Sequence, residues 1–204
     1  MRWVVYTHSS FFDVFQIQEQ RLESLGVDYD VIADENATYS KAREVYHYSD
    51  SQLFSTRLLT TAERMSEDYI LLIHDNDAVL TFDPQFIDTT VEVMKSRQID
   101  RIDLQHYPNI ALNDSSVRLS EETFISRTSV PGDHYVYNVQ PSLWKRESFV
   151  RVMSTFKDYS YRDIESTGIQ KFCSEELRMY RLASLNPLRM GYYSSPKEFV
   201  FMHM

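Results

Sequence analysis

The sequence predicts an α/β domain whose mostly parallel central sheet is flanked by helices. Three observations carry this expectation. A helical pattern lies between two short apolar strands at the amino terminus, which is the order of a β-α-β unit. The run Tyr69 to Ile73 is apolar without alternation, as a strand covered on both faces must be. The candidate strands also close on polar clusters, at Thr7-His8-Ser9, Asp34 and Asp75-Asn76-Asp77. In a parallel sheet these ends share one edge, and ligands bind there. A chain of 204 residues suits a single domain with a full core.

The elements follow in order. Trp3 to Tyr6 reads as the first strand. Ser10 and Asp13 have capping-box spacing, so a helix is expected from Ser10, with Phe11, Phe15, Leu22 and Leu25 as its apolar stripe and Gly26 as its stop. "DYDVIADEN" is the second strand, closing on Asp34. Phe54, Leu58, Ala62 and Met65 recur at helical spacing, and "YILLI" follows as the buried strand. Asp83-Pro84 pairs a cap with a first-turn proline, leading a helix to about Arg97. "RIDLQHY" alternates like a half-exposed strand, and loops or an excursion are expected from Pro108 to Gly132. "YVYNVQPSLW" is a further strand candidate, and Ser166 to Ser184 a further helix.

Composition excludes several classes of function. The formal charge is −9 with no run of Lys or Arg, so the concentrated basic face that nucleic acid requires is missing. Cys173 is the single cysteine, which rules out an intrachain disulfide and a cysteine-based zinc site. "MRWVVYTHSSFF" is too short and too interrupted by polar residues for a signal peptide, and no apolar run is long enough for a membrane span. A soluble, cytoplasmic chain is expected. Its end one residue past His203 raises the expectation of a longer polypeptide.

"EDYILLIHDNDAVLTF" carries the chemistry. Asp75 and Asp77 each raise the cost of ionising the other, and a cation relieves that cost. Carboxylate oxygens suit a hard divalent ion, Mn²⁺ or Mg²⁺. Asp-x-Asp is common in turns and caps, so its weight here comes from the buried strand before it and the edge it shares. His74, in strand continuation, points opposite to Asp75 and reads as packing or as a partner of the ligands. "DNDAV" resembles the first motif of haloacid dehalogenase-like phosphatases, with Asp75 as nucleophile and Asp77 as acid/base. Those enzymes usually begin with the motif strand, whereas here a β-α-β unit precedes it. "PGDHYVY" also puts its Gly-Asp before a strand rather than after one.

The order of parts resembles the nucleotide-sugar glycosyltransferases of the GT-A fold: strands ending at Thr7-His8-Ser9 and Asp34, a helix carrying Arg57, then "YILLIHDNDAVL". The likeness covers most of the chain in layout, and the DND with its flanks in motif. More narrowly, the chain is similar to the small glycosyltransferase domain that chlorella viruses encode for capsid glycans, which would put it in host cytoplasm. The resemblance implies a nucleotide-binding half at 1–77 and an acceptor half at 78–204. It implies nucleotide contacts from Thr7, His8, Ser9, Asp34 and Arg57, and a metal held by Asp75, Asp77 and His203 near the carboxyl end. The donor it implies is a UDP-sugar of the glucose or rhamnose type, the acceptor a glycan hydroxyl, and the reaction retaining.

Asp163 and Glu165, again one residue apart, are candidates to steer or deprotonate the acceptor, although acids before a helix also serve its dipole. Asn138 and Gln140 are candidates for hydrogen bonds to the sugar, Trp144 for an apolar acceptor platform, and Lys197 for a phosphate contact. The His-x-Gly-x-x-Lys-Pro-Trp run of one retaining GT-A group is absent. A non-catalytic module binding nucleotide or glycan is the reading from a different class.

Overall fold

A computed structural model describes residues 1–36, 38–105, 114–121, 123–128 and 136–183, and the backbone alone of 184 and 199–203. The parallel part of the sheet is built first. β1 (Arg2–Tyr6) lies between β2 (Tyr29–Asp34) and β4 (Tyr69–His74), with Trp3 opposite Tyr29 on one side and Leu71 on the other. β3 (Val45–Tyr48) extends this block beyond β2. The chain therefore steps outward through β2 and β3, then returns to the other side of β1. That reversal opens a crevice between the carboxyl ends of β1 and β4.

Beyond β4 the sheet is mixed, in the order β3-β2-β1-β4-β9-β6-β10-β8-β7. β9 (Ser142–Lys145) runs antiparallel to both β4 and β6 (Arg101–Asp103). β10 (Met179–Ser184) is parallel to β6 and antiparallel to β8 (Thr123–Arg127), and β7 (Val117–Arg118) closes the edge. The turn at Asp75 and Asn76 takes the chain out of this sheet. β5 (Asp77–Phe82) pairs instead with β11 (Phe199–His203) in a separate antiparallel ribbon, which sets the backbone of His203 opposite Asp77.

Two apolar layers cover the sheet, and strand periodicity divides the residues between them. Trp3, Val5, Leu71 and Ile73 join Phe15 and Leu22 of α1 (Phe12–Ser24) and Phe86 and Met94 of α3 (Pro84–Arg97). Val4, Ile70 and Leu72 join Phe54 and Leu58 of α2 (Phe54–Arg64), Phe149 of α4 (Arg146–Thr155) and Ile169 of α5 (Thr167–Glu176). β4 is buried throughout because it serves both layers. Each fully buried Leu or Ile contributes about 1.5–3 kcal/mol.

Several elements depart from expectation. His8, not Ser10, caps the first helical segment, a 3-10 turn over Ser9–Phe11, and α1 proper starts at Phe12. Phe11 is 55% exposed and lies off the apolar stripe. Gly26 does stop the helix, with φ +66, a conformation that needs no Cβ. Asp83 caps α3 as expected, accepting from the Gln85 amide. β6 is short and wholly buried rather than half-exposed. β7 and β8 occupy part of the stretch expected to be loops, and β10 takes the carboxyl half of the expected last helix. The strand expected over "YVYNVQPSLW" is formed only from Ser142 onward among the described residues.

Candidate functional site

The first and third polar clusters meet across the crevice. Thr7 is buried just past β1, and its hydroxyl donates to Asp75 Oδ2 at 2.7 Å, while the Asp75 amide donates to the Tyr6 carbonyl at 3.0 Å. The DND is thereby fixed beside β1. Burial raises the Asp75 carboxyl above its ordinary value, and hydrogen bonds from the Thr7 hydroxyl and the amides of Asn76 and His8 hold part of that rise back. Asp77 is 2% exposed at the first position of β5. β5 is held from behind by Gln18, fully buried in α1, whose Oε1 accepts from the Val79 amide at 3.0 Å.

Asp34 closes β2 beside this pair. Its carboxylate accepts from the Ser9 amide at 2.6 Å, the Ser9 hydroxyl at 2.7 Å and the Asn36 side chain at 2.7 Å. Burial alone would raise its pKa, but the Ser9 and Asn36 hydrogen bonds and the nearby His8 outweigh burial and bring it down to about 2. His8, Asp34 and Asp50 bring potential ligand atoms within 4.8 Å of one another. The chemistry of the three is already matched, however. The Ser10 amide donates to His8 Nδ1 at 3.0 Å, so neutral imidazole carries its proton on Nε2 and donates it to Asp50 at 3.2 Å. A cation on that nitrogen would have to displace the proton.

A cleft of about 630 Å³ opens over these strand ends. Tyr6, His8, Arg57, His74, Asp75 and Tyr161 contribute to its lining. Arg57 lines the cleft, but not as an exposed arm. Its guanidinium donates to the Gln52 carbonyl, the Asp50 carbonyl and the Tyr6 hydroxyl at 2.8–3.0 Å and lies 4.2 Å over the Tyr48 ring. It fixes the β3–α2 loop as one wall. His74 packs against Tyr6, Phe54 and Tyr161, so the packing role holds.

The carboxyl-terminal candidates divide. Glu165 Oε1 accepts from the Val139 amide at 3.0 Å, and Gln170 grips Tyr137 through both its amide and its carbonyl, so the start of α5 holds the segment that carries Gln140. The Gln140 amide donates to the Asn138 side chain at 3.3 Å. Asp163 accepts from the amide and hydroxyl of Ser160, closing its own turn. Asn138 is engaged by the buried Arg101 and by Asp103, an internal scaffold rather than a sugar-facing group. Trp144 cannot serve as a platform: it is 1% exposed, and its indole N–H donates to Ser142. The side chain of His203, together with Lys197 and the Gly-Asp at 132–133, lies outside the described residues. Asp50 and Tyr161 join the site without having been singled out in the sequence; each sits in a loop with no periodicity to mark it.

Asp75 and Asp77 offer carboxylate oxygens at the turn from β4 into β5, a chemistry that fits Mn²⁺ or Mg²⁺, and the backbone of His203 lies opposite Asp77. Among the described residues no helix is long and apolar enough to cross a membrane.

No protein-family model matches the chain, nor does any curated protein sequence. Solved structures do. S. aureus TarS superposes with TM-score 0.54 at 12% identity over 98% of this chain and 36% of that one. Apo UDP-glucose pyrophosphorylase gives 0.53 at 10% identity over 90% of each. CMP:2-keto-3-deoxy-manno-octonic acid synthetase, solved with CTP, gives 0.50 at 14% identity over 89% of each. These neighbours are nucleotidyltransferases and a glycosyltransferase, all with GT-A-like nucleotide-binding folds. At such identities the likeness is one of fold: the chain is a single α/β domain of the architecture that nucleotide-sugar transferases use.

Proposed function

We propose that the protein is a divalent-metal-dependent glycosyltransferase that moves a hexose from a UDP-sugar to a glycan hydroxyl. The observation that carries this reading is the contact between Thr7 and Asp75, which ties the DND to the end of β1 at the point where the sheet reverses its order. Asp75, Asp77 and His203 would hold the ion. When bound, it would offset the negative charge that develops on the departing diphosphate, so departure needs no protein acid.

The other residues take the remaining tasks. Ser9 and Asp34, already preorganised by their mutual hydrogen bonds, form the nucleoside end with Thr7 and His8. Arg57 keeps the adjoining wall rigid and puts a cation beside the phosphates. Glu165 is the carboxylate favoured for steering or deprotonating the acceptor hydroxyl, because Asp163 accepts two hydrogen bonds from Ser160 whereas Glu165 accepts one, from the Val139 amide through Oε1. Gln140 is positioned by the clamp that Glu165 and Gln170 make on its segment.

The test is Mn²⁺-dependent release of UDP from UDP-glucose or UDP-rhamnose, with Asp75→Asn and Asp77→Asn alongside. Both variants should remain folded and lose turnover by two or more orders of magnitude, roughly the loss of a principal electrostatic stabiliser. Unchanged turnover in both would sink the metal assignment. Hydrolysis of a phosphomonoester without donor turnover would hand the carboxylates to phosphatase chemistry.

A further inference from the structure

One aromatic side chain beside the DND has no role so far. Tyr161, on the loop between α4 and α5, is 51% exposed although its ring meets Phe54 at 5.0 Å and His74 at 6.1 Å. Exposed aromatics are ordinary when their loops move freely, but this loop is bound to α2 and to itself. Ser55 donates through its amide and its hydroxyl to the Tyr159 carbonyl and accepts from the Tyr159 amide, and the Thr56 hydroxyl donates to the Lys157 carbonyl. Asp163 locks the adjoining Ser160 at 2.5 Å. The ring is therefore presented to the cleft by a fixed support.

Its surroundings define what it would take. Asp75 lines the same cleft as Tyr161, and burial foremost, then the negative charges of Glu165, Asp77 and Asp75, push the Tyr161 hydroxyl above its ordinary value. An aromatic face bordered by carboxylates matches a pyranose, whose C–H face is apolar and whose rim offers several hydroxyl donors. A nucleobase offers few donors to such a wall, and the phosphates would be drawn instead to the ion that Asp75 and Asp77 would hold.

We infer that Tyr161 is the platform on which the transferred hexose stacks, with its specificity set by the ring face it presents to the cleft. This rests on the glycosyltransferase reading above and names the residue that recognises the sugar part of the donor. The aromatic seam Tyr6–Phe54–His74 continues behind Tyr161 and supports the ring without itself being as open to the cleft.

The experiment is calorimetric titration with UDP, UDP-glucose and UDP-rhamnose, all with Mn²⁺, on the unmodified protein, Tyr161→Ala and Tyr161→Phe. Tyr161→Ala should weaken at least one UDP-sugar about tenfold, the scale of one lost aromatic contact, while UDP itself changes less than about twofold. Tyr161→Phe should recover most of the loss. An equal loss for UDP and both UDP-sugars, or no loss for any, would overturn the assignment while leaving the enzyme class standing. If the unmodified protein bound neither UDP nor UDP-sugars, the class itself would fail and the platform with it.

Discussion

Replacing Thr7 by Val removes one hydroxyl and keeps the shape. Thr7 is buried, so the change exposes no new surface, and its hydroxyl is the donor to Asp75 at 2.7 Å. A hydrogen bond to a charged partner is worth about 1.5–3 kcal/mol, so losing it should push the Asp75 carboxyl further above its ordinary value. Its folded value already stands above the ordinary carboxylate range because burial dominates. For a group raised in this way, the stabilising effect is complete below the ordinary value and is lost as pH climbs through the folded one. Metal-free Thr7→Val should therefore unfold in urea more readily than the unmodified protein at mildly alkaline pH, with a gap that narrows in mild acid as Asp75 takes its proton in both. Its Mn²⁺ affinity should also fall about tenfold for each pH unit over which Asp75 stays protonated, because the ion must displace that proton. A stability gap of the same size at both pH values would mean that lost packing, not the carboxylate, explains the variant.

Asp34 behaves with the opposite sign. Its folded value, lowered to about 2, means a stabilisation present above the ordinary carboxylate value and lost as pH falls toward 2, about 2 kcal/mol in all. Acid unfolding of Asp34→Asn should lack that component, and an unchanged acid midpoint would show that the Ser9 and Asn36 hydrogen bonds do not act on the ionised form. Gln18→Leu leaves the buried Val79 amide without its acceptor, at a cost of about 1–3 kcal/mol in urea unfolding. Because β5 then loses its brace, metal-dependent nucleotide binding should weaken too; full affinity in a destabilised variant would separate the brace from the site.

Most of the parallel half of the fold was legible because its signals are local, although β3, a four-residue strand, was not read. β1, β2, α2, β4 and α3 each have a clean period or a cap, and β4 is apolar on both sides because it faces two layers. The mixed half was legible only in part: "RIDLQHY" contains β6 and "YVYNVQPSLW" overlaps β9. β7 has two residues, too short to display a period, and β10 follows α5 after a single residue beyond the helix cap, so its pattern merges with the helical one. Trp144 misled because burial by Phe149 and Tyr137 depends on α4 and on the 136–140 segment folding over it. In the site, the DND and the polar ends of β1 and β2 could be read because chain order alone puts them on one edge. Tyr161 could not, since only tertiary contact brings its loop to α2. The helix start failed for a chemical reason: His8 offers Nδ1 to the Ser10 amide, a capping role usually taken by Ser, Thr, Asp or Asn.

The central claim is that Asp75 and Asp77 bind a divalent ion that in turn binds a nucleoside diphosphate. Titrating the protein with UDP, GDP and CMP, each with Mn²⁺ and again with chelator, tests it most directly. The account predicts UDP binding that appears with Mn²⁺, disappears with chelator, and is absent in Asp77→Asn. Equal UDP affinity with and without metal, or binding retained in Asp77→Asn, would contradict it.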